Sequence, residues 1–585
     1  MKELEEEFSP AQIEDFKNPE IDPLSKERRK KCLKRLAILI AIIVVIIIIS
    51  IIIYKVTRKI HYEIETEFTT TRENEEIQII NYNAIKDIDV EIKINGKKKE
   101  KNTTYIIKKP GKIKVSFKFD EKLESLGSFF YGLDKLVSID LSDINAAAFK
   151  NISRTFADCE SLKKINFGKS KKKVIYMDEA FAGCTSLEKL DLSSFKTENT
   201  ESMAGLFSGC HSLTSLDINH FNTSKVTSME AMFSGCDLIE SLNLTNFQFN
   251  SVKDISFMFS GCANLTNVTF GKLNFTNLKR MTGTFSNCVS LKSIDLDLDN
   301  LNSSSLEDMS LLFYNCRNLT EIQLSNVNTS KVENMYGMFS NCISITSLDL
   351  KTFNTLNVKD MKEMFYNCTN LKKISFTNHF KTSKVIYFER QFANCSSLED
   401  LDLSSFEFKE AMETEKMFYG CKSLTKLNFA KTKPEKLNNV KSMFEDCIKL
   451  TSIDLSFLEN SQGLGYASGM FKNCISLKNI EFPSISSFFL FNTDEMFSGC
   501  KNLNNLDIGT INTLSVTNMD RMFYGCSSLT SLNISKFNTR SIESCENIFE
   551  GINNIDNFTI IYNESKIGEI LDQIKEKWKK KIENY

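Results

Sequence analysis

Fifteen cysteines recur at a nearly constant spacing and are the first residues in this chain that could do chemistry. Most steps are 26 residues, and the exceptions are 25, 27 or 28. The ladder consists of Cys159, Cys184, Cys210, Cys236, Cys262, Cys288, Cys316, Cys342, Cys368, Cys395, Cys421, Cys447, Cys474, Cys500 and Cys526. Equivalent residues on neighbouring turns of a repeat lie about 4.8 Å apart where the turns pair as strands, so disulfides are sterically possible. An odd number of equivalent thiols offers no preferred pairing, and we therefore favour buried thiols over disulfides. No histidine or Cys-x-x-Cys accompanies the ladder, which argues against metal.

A second periodic position lies seven residues after most of these cysteines and is usually Asp or Asn. Its candidate binding members, here called the acidic stripe, are Asp191, Asp217, Asn243, Asp295, Asp349, Asp402, Asn428, Asp454 and Asp507. One interpretation is a docking stripe for a basic or hydroxyl-rich ligand. The other is a solvated strand face with stacked Asp and Asn side chains, which requires no ligand.

Catalytic signatures are absent from the sequence. It contains no His-Glu-x-x-His, Gly-x-Ser-x-Gly or Walker A motif, and its acids and serines recur with the repeat. We therefore predict that the chain is not an enzyme and needs no cofactor. The net charge of −2 offers no global field for nucleic acid, so we predict no nucleic-acid partner.

A single repeat shows which secondary-structure elements must position the cysteine ladder and the acidic stripe. Leu213, Leu216 and Ile218 alternate like a short strand with one buried face. Met229, Met232 and Phe233 stand at helical spacing and predict a short helix. The residue before each ladder cysteine is always Gly, Asn or Asp, which predicts a left-handed residue that ends each turn. A period of this length indicates a solenoid, and we count about 17 turns.

The recurring L-x-x-L-D-[LI] and M-F-x-G-C segments resemble the BspA-like leucine-rich-repeat surface proteins, in particular their 26-residue mycoplasma-type variant. The resemblance covers about residues 130–552. It implies an α/β leucine-rich-repeat-like solenoid with a short strand and a short helix per turn. It also implies adhesion or binding at a cell surface, with the acidic stripe on the concave sheet face. It names no ligand.

An apolar stretch from Leu36 to Tyr54 contains no charged residue and predicts a transmembrane helix. Lys and Arg are more numerous before it than after it, which predicts a cytoplasmic N-terminus and extracellular repeats at the plasma membrane. Residues 1–35 are mostly polar and predict a disordered tail. Cys32 in the basic flank is a weak candidate for palmitoylation, and an ordinary thiol is the favoured alternative.

The two ends of the repeat region carry distinct patterns. Val90, Ile92 and Ile94 precede an Asn-Gly turn, and a second alternating run follows Pro110. These predict a small β module. Ile567, Ile570, Leu571, Ile574 and Trp578 stand at helical spacing and predict a helix that closes the solenoid, although a basic amphipathic helix can also bind a membrane. The predicted domains are a tail at 1–35, a membrane helix at 36–54, a β stalk at 60–122, a solenoid at 123–552 and a C-terminal cap at 553–585.

Taken together, these patterns predict a single-pass membrane protein whose solenoid binds an unidentified protein or glycan. Two alternatives remain open at this stage. The solenoid could be a passive surface spacer, or, with the opposite topology, a membrane-tethered scaffold in the cytosol.

Overall fold

The computed structural model describes residues 23–57, 62–294, 305–322, 324, 327–429, 432–459, 461–485, 487–553 and 558–577. The chain divides into two compact units, Met1–His61 and Tyr62–Tyr585. The hydrophobic core of the second unit runs from Tyr62 to Ile574. This unit therefore has a core of its own.

The described part of the first unit is one helix, α1, at Pro23–Thr57. Within it, Lys26–Ser50 includes a stretch that is long and apolar enough to cross a membrane, and nearly all side chains of this segment are exposed. The helix begins inside the segment predicted to be a disordered tail, so that prediction is wrong for residues 23–35. Proline is well tolerated in the first turn of a helix, and Lys, Arg, Glu and Leu propagate one. Residues 1–22 of the predicted tail lie outside the described residues.

The second unit begins with a small β module, as predicted. Its elements are β1 Tyr62–Thr70, β2 Glu75–Gln78, α2 Tyr82–Ile85, β3 Val90–Ile94, β4 Lys97–Lys99, β5 Thr104–Ile107 and β6 Gly111–Phe119. The Asn-Gly hairpin joins β3 to β4. The module continues into the solenoid through one sheet of order β4-β3-β6-β1-β7-β8, where β7 is Leu136–Asp140 and β8 is Lys164–Asn166. Strand β1 thus pairs with the first solenoid strand and covers its edge.

The remaining solenoid strands are two to four residues long. They are β9 Lys172–Lys173, β10 Phe195–Lys196, β11 Ser241–Leu244, β12 Asn267–Phe270, β13 Ser293–Ile294, β14 Glu321–Ile322, β15 Ser347–Asp349, β16 Lys373–Ser375, β17 Asp400–Leu403, β18 Lys426–Phe429, β19 Asn479–Glu481, β20 Asn505–Asp507, β21 Ser531–Asn533 and β22 Thr559–Ile561. They pair in parallel as separate short sheets. Residues 213–218 keep the predicted alternation of burial but form no strand. Strand pairing therefore does not run without interruption along the solenoid.

Two other features do continue from turn to turn. Single parallel β-bridges join sixteen equivalent residues, from Asn151 to Ser544. The phenylalanine three residues before each ladder cysteine stacks on its neighbours, in an unbroken series from Phe130 to Phe549. In the middle of the series, the ring of Phe339 lies 5.8 Å from Phe313 and 5.8 Å from Phe365. The solenoid thus has about 16 bridged turns, close to the predicted 17, and the Phe130 segment stacks on the first of them.

The predicted helix in each turn is wrong. Alternate N–H groups of this segment bond to the next turn: Met229 donates to the carbonyl of Asp254, and Ala231 donates to Ser256. Ala231 also has a φ of +51°. An α-helix satisfies its N–H groups internally at i−4 and has negative φ throughout. The apolar spacing is instead that of a tight turn whose backbone pairs sideways with its neighbours.

The predicted left-handed residue before each cysteine is confirmed. Gly235 has a φ of +70° and Asn341 a φ of +61°, and the equivalent residues from Asp158 to Gly525 share this conformation. Within the described residues, 3₁₀ helices occur at Ala146–Lys150, Ser456–Leu458 and Glu564–Lys566, and α3 spans Gly568–Lys577. Ile567, Ile570 and Ile574 are buried beside the last turn, while Trp578 lies outside the described residues.

Candidate functional site

The acidic stripe lies on the exposed face of the solenoid strands, here called the strand face. Asp349 and Asp402 are exposed between buried leucines on either side, as the alternation predicts. Asp191, Asp217, Asn243, Asn428, Asp454 and Asp507 are exposed in the same way, and Asp295 lies outside the described residues. Neighbouring members pair across turns, as Asp402 does with Asn428. The structure therefore brings the stripe together on one surface.

Most stripe side chains already have a local partner. An oxygen of Asp349 accepts a hydrogen bond from the backbone N–H of Lys351, at 3.1 Å, and Asp402 accepts one from Ser404 at 3.0 Å. The same bond to the residue two positions on is made by Asp191, Asn243, Asp454 and Asp507. This is an Asx turn, which ends the strand and reverses the chain. The repeated Asp or Asn thus has a structural role in its own turn, whether or not it also binds a ligand.

The electrostatics of the stripe follow from these bonds. Hydrogen bonds from the hydroxyl and backbone N–H of Ser193 hold the pKa of Asp191 below its ordinary value. Ionisation strengthens a hydrogen bond that a carboxylate accepts, which is why the bond lowers the pKa. Asp191 is therefore a carboxylate at neutral pH. The stripe presents negative charge and amide groups from successive turns.

At its N-terminal end the strand face becomes a cleft of about 740 Å³ over the sheet that joins the β module to the solenoid. Its charged lining residues are Glu65, Glu67, Lys93, Lys114, Asp140 and Lys164, with Asn166 beside them. They come from β1, β3, β6, β7 and β8. Alternate residues of each strand point to the same face of the sheet. The strand order therefore places the acids of β1 and β7 between the lysines of β3 and β6 on one side and the lysine of β8 on the other. The cleft thus offers both charges to a ligand.

Asp140 connects the cleft to the stripe, because it occupies the stripe register and also lines the cleft. Its carboxylate accepts hydrogen bonds from the backbone of Ser142, at 2.8 Å, and from the side-chain amide of Asn166, at 2.9 Å. Partial burial raises the pKa of Asp140, but bonds from Ser142 and Asn166 and the charge of Lys164 hold it below its ordinary value. Asp140 is a fixed negative charge at the point where the two surfaces meet.

Sequence reasoning missed the cleft because it did not identify strand β1. The signal was present: Glu63, Glu65 and Glu67 alternate with buried Ile64, Thr66 and Phe68. Only the pairing of β1 with both β6 and β7 places its acids opposite lysines that lie far away in the sequence.

The cysteine ladder is buried along its whole length and its thiols are free. Each thiol donates a hydrogen bond to the carbonyl oxygen of a phenylalanine in the preceding turn, as Cys236 does to Phe207 at 3.2 Å. Burial raises the pKa of Cys262 to about 12. Thiolates are the nucleophilic and metal-binding form of cysteine, and burial suppresses that form here. Among the described residues no cluster of three or more His, Cys, Asp or Glu could hold a metal ion.

Comparisons with known proteins agree with the repeat architecture. The family model described as "Mycoplasma protein of unknown function, DUF285" matches residues 175–295, 281–376 and 465–583, which is more than half of the chain. The model described as "BspA type Leucine rich repeat region (6 copies)" matches residues 362–504. No match was found among curated proteins.

Solved structures also match parts of this chain at low sequence identity. A crystal structure of a TLR13–ssRNA13 complex is 16% identical, with a TM-score of 0.21; the alignment covers 73% of this chain and 64% of that chain. This chain therefore spans less than two thirds of that protein. A leucine-rich repeat protein from Eubacterium ventriosum is 16% identical, with a TM-score of 0.24, covering 61% of this chain and 82% of that one.

Proposed function

The chain belongs to the DUF285 family of BspA-like leucine-rich-repeat proteins, and from this premise we propose that it is a single-pass membrane protein whose solenoid binds a protein or glycan partner outside the cell. The observation that carries the proposal is the cleft at the end of the strand face, where Glu65 and Asp140 stand among Lys93, Lys114 and Lys164. The acidic stripe extends this surface along the solenoid.

The chemistry of the cleft supports a polar ligand. Its lining offers carboxylates, ammonium groups and the amide of Asn166, but no aromatic ring on which a sugar face could stack. A charged peptide or an anionic or amino-substituted glycan matches these groups best, because each of its charges meets an opposite one. Nucleic acid stays among the classes to be tested, because a net charge near zero says nothing about a local group of lysines.

Membrane anchoring is proposed for α1, with the apolar segment Leu36 to Tyr54 as the span. Lys and Arg precede this segment more often than they follow it, which supports a cytoplasmic N-terminus and external repeats. Protease treatment of intact cells tests the topology. Cleavage of the repeats with protection of the N-terminal residues supports it. Repeats that are cut only after permeabilisation would place the solenoid inside and favour the cytosolic scaffold.

Ligand binding is tested with residues 62–585 on arrays of peptides, glycans and single-stranded nucleic acids. Lys114→Glu and Lys164→Glu reverse charges in the cleft, and each should weaken binding at least about tenfold if the cleft is the site. If no array ligand binds specifically, the passive spacer becomes the better interpretation.

The stripe needs a different variant, because its residues also form turns. Asp349→Asn and Asp402→Asn remove charge but keep an oxygen that can accept the Asx-turn hydrogen bond. If the stripe takes part in binding, these variants should weaken it without changing stability. Unchanged affinity for the cleft ligand would restrict the site to the cleft and leave the stripe as a structural feature.

A further inference from the structure

One turn of the solenoid breaks the polar pattern of its outer surface. The turn that ends at Cys500 carries Phe488, Phe489 and Phe491, which are 67%, 58% and 42% exposed. The equivalent residues in the turn that ends at Cys236 are Ser224, Lys225 and Thr227. We call the three phenylalanines the aromatic ridge. Tyr466, whose ring centroid lies 6.4 Å from that of Phe491, and Leu514 in the next turn extend it.

The ridge is held in place by the surrounding turns. Ser487 is buried, and its hydroxyl donates to the carbonyl of Leu464 at 2.7 Å and accepts from the N–H of Phe489 at 3.1 Å. Leu490, between the exposed rings, is buried. The backbone of Phe491 bonds to Gly465 on one side and Thr517 on the other. Exposure of these rings is therefore a property of the folded surface.

Beside the ridge the surface is lower. Gly463, which is partly exposed, stands one turn before Phe489 at the same repeat position. Gly465, at the repeat position of Phe491, is buried, and a Cβ atom there would lie 2.6 Å from the side-chain oxygen of Asn438, so the trough is at Gly463 alone. At Gly463 a Cβ atom would meet nothing closer than the carbonyl oxygen of Leu437, at 3.5 Å, so side chains are tolerated there but none is present. A ridge and a trough therefore lie on adjacent turns.

We propose that the aromatic ridge is a contact between two copies of this chain. A two-fold axis between ridge and trough places the ridge of each copy in the trough of the other, because an isologous interface pairs each surface with its symmetry mate. The five apolar side chains expose roughly 500 Å². Two copies together then bury about 1,000 Å², which is the lower limit for a specific interface and indicates a weak, reversible dimer.

The charges around the ridge favour a second copy over a charged partner. Glu435 and Lys436 are exposed on one flank, and Arg540 and Glu543 on the other, so each flank is balanced. An anionic membrane surface attracts regions with an excess of Lys or Arg, and neither flank has one. Balanced flanks also meet their symmetry mates without net repulsion.

Sedimentation velocity of residues 62–585, the unit with its own core, tests the proposal over about 1 to 100 µM, where an interface of this size associates. The wild-type protein should dimerise as its concentration rises. The variant Phe488→Ser/Phe489→Lys/Phe491→Thr should stay monomeric, because it replaces the ridge with residues that the repeat carries elsewhere. Retention of the far-ultraviolet circular dichroism spectrum shows that this variant is folded.

Two further variants make the test specific to the ridge and trough. Gly463→Lys fills the trough with a residue found at that position in another turn, and should weaken association at least about tenfold while leaving every phenylalanine in place. Leu356→Ser removes an apolar side chain that is 48% exposed but lies several turns away, and should not change association. A wild-type protein that stays monomeric at about 100 µM, the highest concentration of the range tested, would overturn the proposal. So would dimerisation as tight as that of the wild type in either the ridge variant or Gly463→Lys.

Discussion

The thiol of Cys342 donates a hydrogen bond to the carbonyl oxygen of Phe313, in the preceding turn, at 3.0 Å. The same carbonyl accepts a second bond from the backbone N–H of Cys316, which closes its own turn. The cysteine therefore joins two successive turns at the level where their phenylalanine rings stack. A small buried side chain with a donor suits this position, which explains why the ladder is cysteine although its thiols are free.

Replacing one ladder thiol should destabilise the solenoid measurably. We expect Cys342→Ala to lower the free energy of unfolding by about 1–2 kcal/mol, because it removes a hydrogen bond and leaves a small cavity. Cys342→Ser keeps a donor and should cost less. Denaturant unfolding of residues 62–585 measures both, and an alanine variant as stable as the wild type would contradict a stabilising role for the thiol.

Burial of the ladder also predicts a loss of stability in alkali. The pKa of Cys262 is raised from 9.0 to about 12 by burial. The buried, neutral thiol therefore contributes its full stabilisation of the fold below the unfolded-state pKa of 9.0. This contribution is lost as the pH rises from 9.0 towards the folded-state pKa, because only the unfolded thiol ionises in that range. At about pH 10 the unfolded thiol is largely ionised and the folded one is not, which lowers the free energy of unfolding by roughly 1 kcal/mol per thiol.

The denaturant concentration at the unfolding midpoint should therefore decrease clearly when the pH is raised from about 8 to about 10, which are about one unit below and above the ordinary thiol pKa. Cys32 is exposed, so Cys32→Ser in the full chain should leave this dependence unchanged. An unchanged midpoint in the wild-type chain would show that the ladder thiols do not control alkaline stability.

Replacing Ala231 by glycine should stabilise the fold, whereas the helix predicted from the sequence would be destabilised by the same change. Ala231 has a φ of +51°, a conformation in which a Cβ atom costs about 1 kcal/mol. We therefore expect Ala231→Gly to raise the free energy of unfolding by up to about 1 kcal/mol. Ala180 is buried and is not among the residues with positive φ, so Ala180→Gly should lower it by a similar amount. Thermal unfolding compares the two, and equal destabilisation would contradict the turn geometry.

The phenylalanine stack should be the most sensitive element of the core. Phe339 is fully buried between Phe313 and Phe365. We expect Phe339→Ala to cost about 3–5 kcal/mol and to increase hydrogen exchange most in the adjacent turns, because each turn contacts only its neighbours. Phe339→Leu fills more of the space and should cost less. Uniform exchange changes along the whole solenoid would contradict this local response.

The sequence by itself determined the period, the solenoid, the buried cysteines and the left-handed residue before each of them. These properties depend on residue types within one turn. Apolar side chains point inward, and Gly, Asn or Asp can adopt positive φ, regardless of which residues the neighbouring turns contain. The hairpin at Asn95-Gly96 is local in the same sense and was also predicted correctly.

Only the tertiary structure decided how the turns join. The spacing of Met229, Met232 and Phe233 is compatible with a helix, but the backbone of this segment pairs with a turn 25 residues away. Positive φ at Ala231 is not encoded by alanine itself; the only sequence signal is that the same repeat position is glycine at Gly205, Gly283, Gly337 and Gly469. The cleft likewise requires β1 to lie between β6 and β7. Hydrogen bonds and charges brought together by such long-range pairing depend on distances that no local pattern encodes.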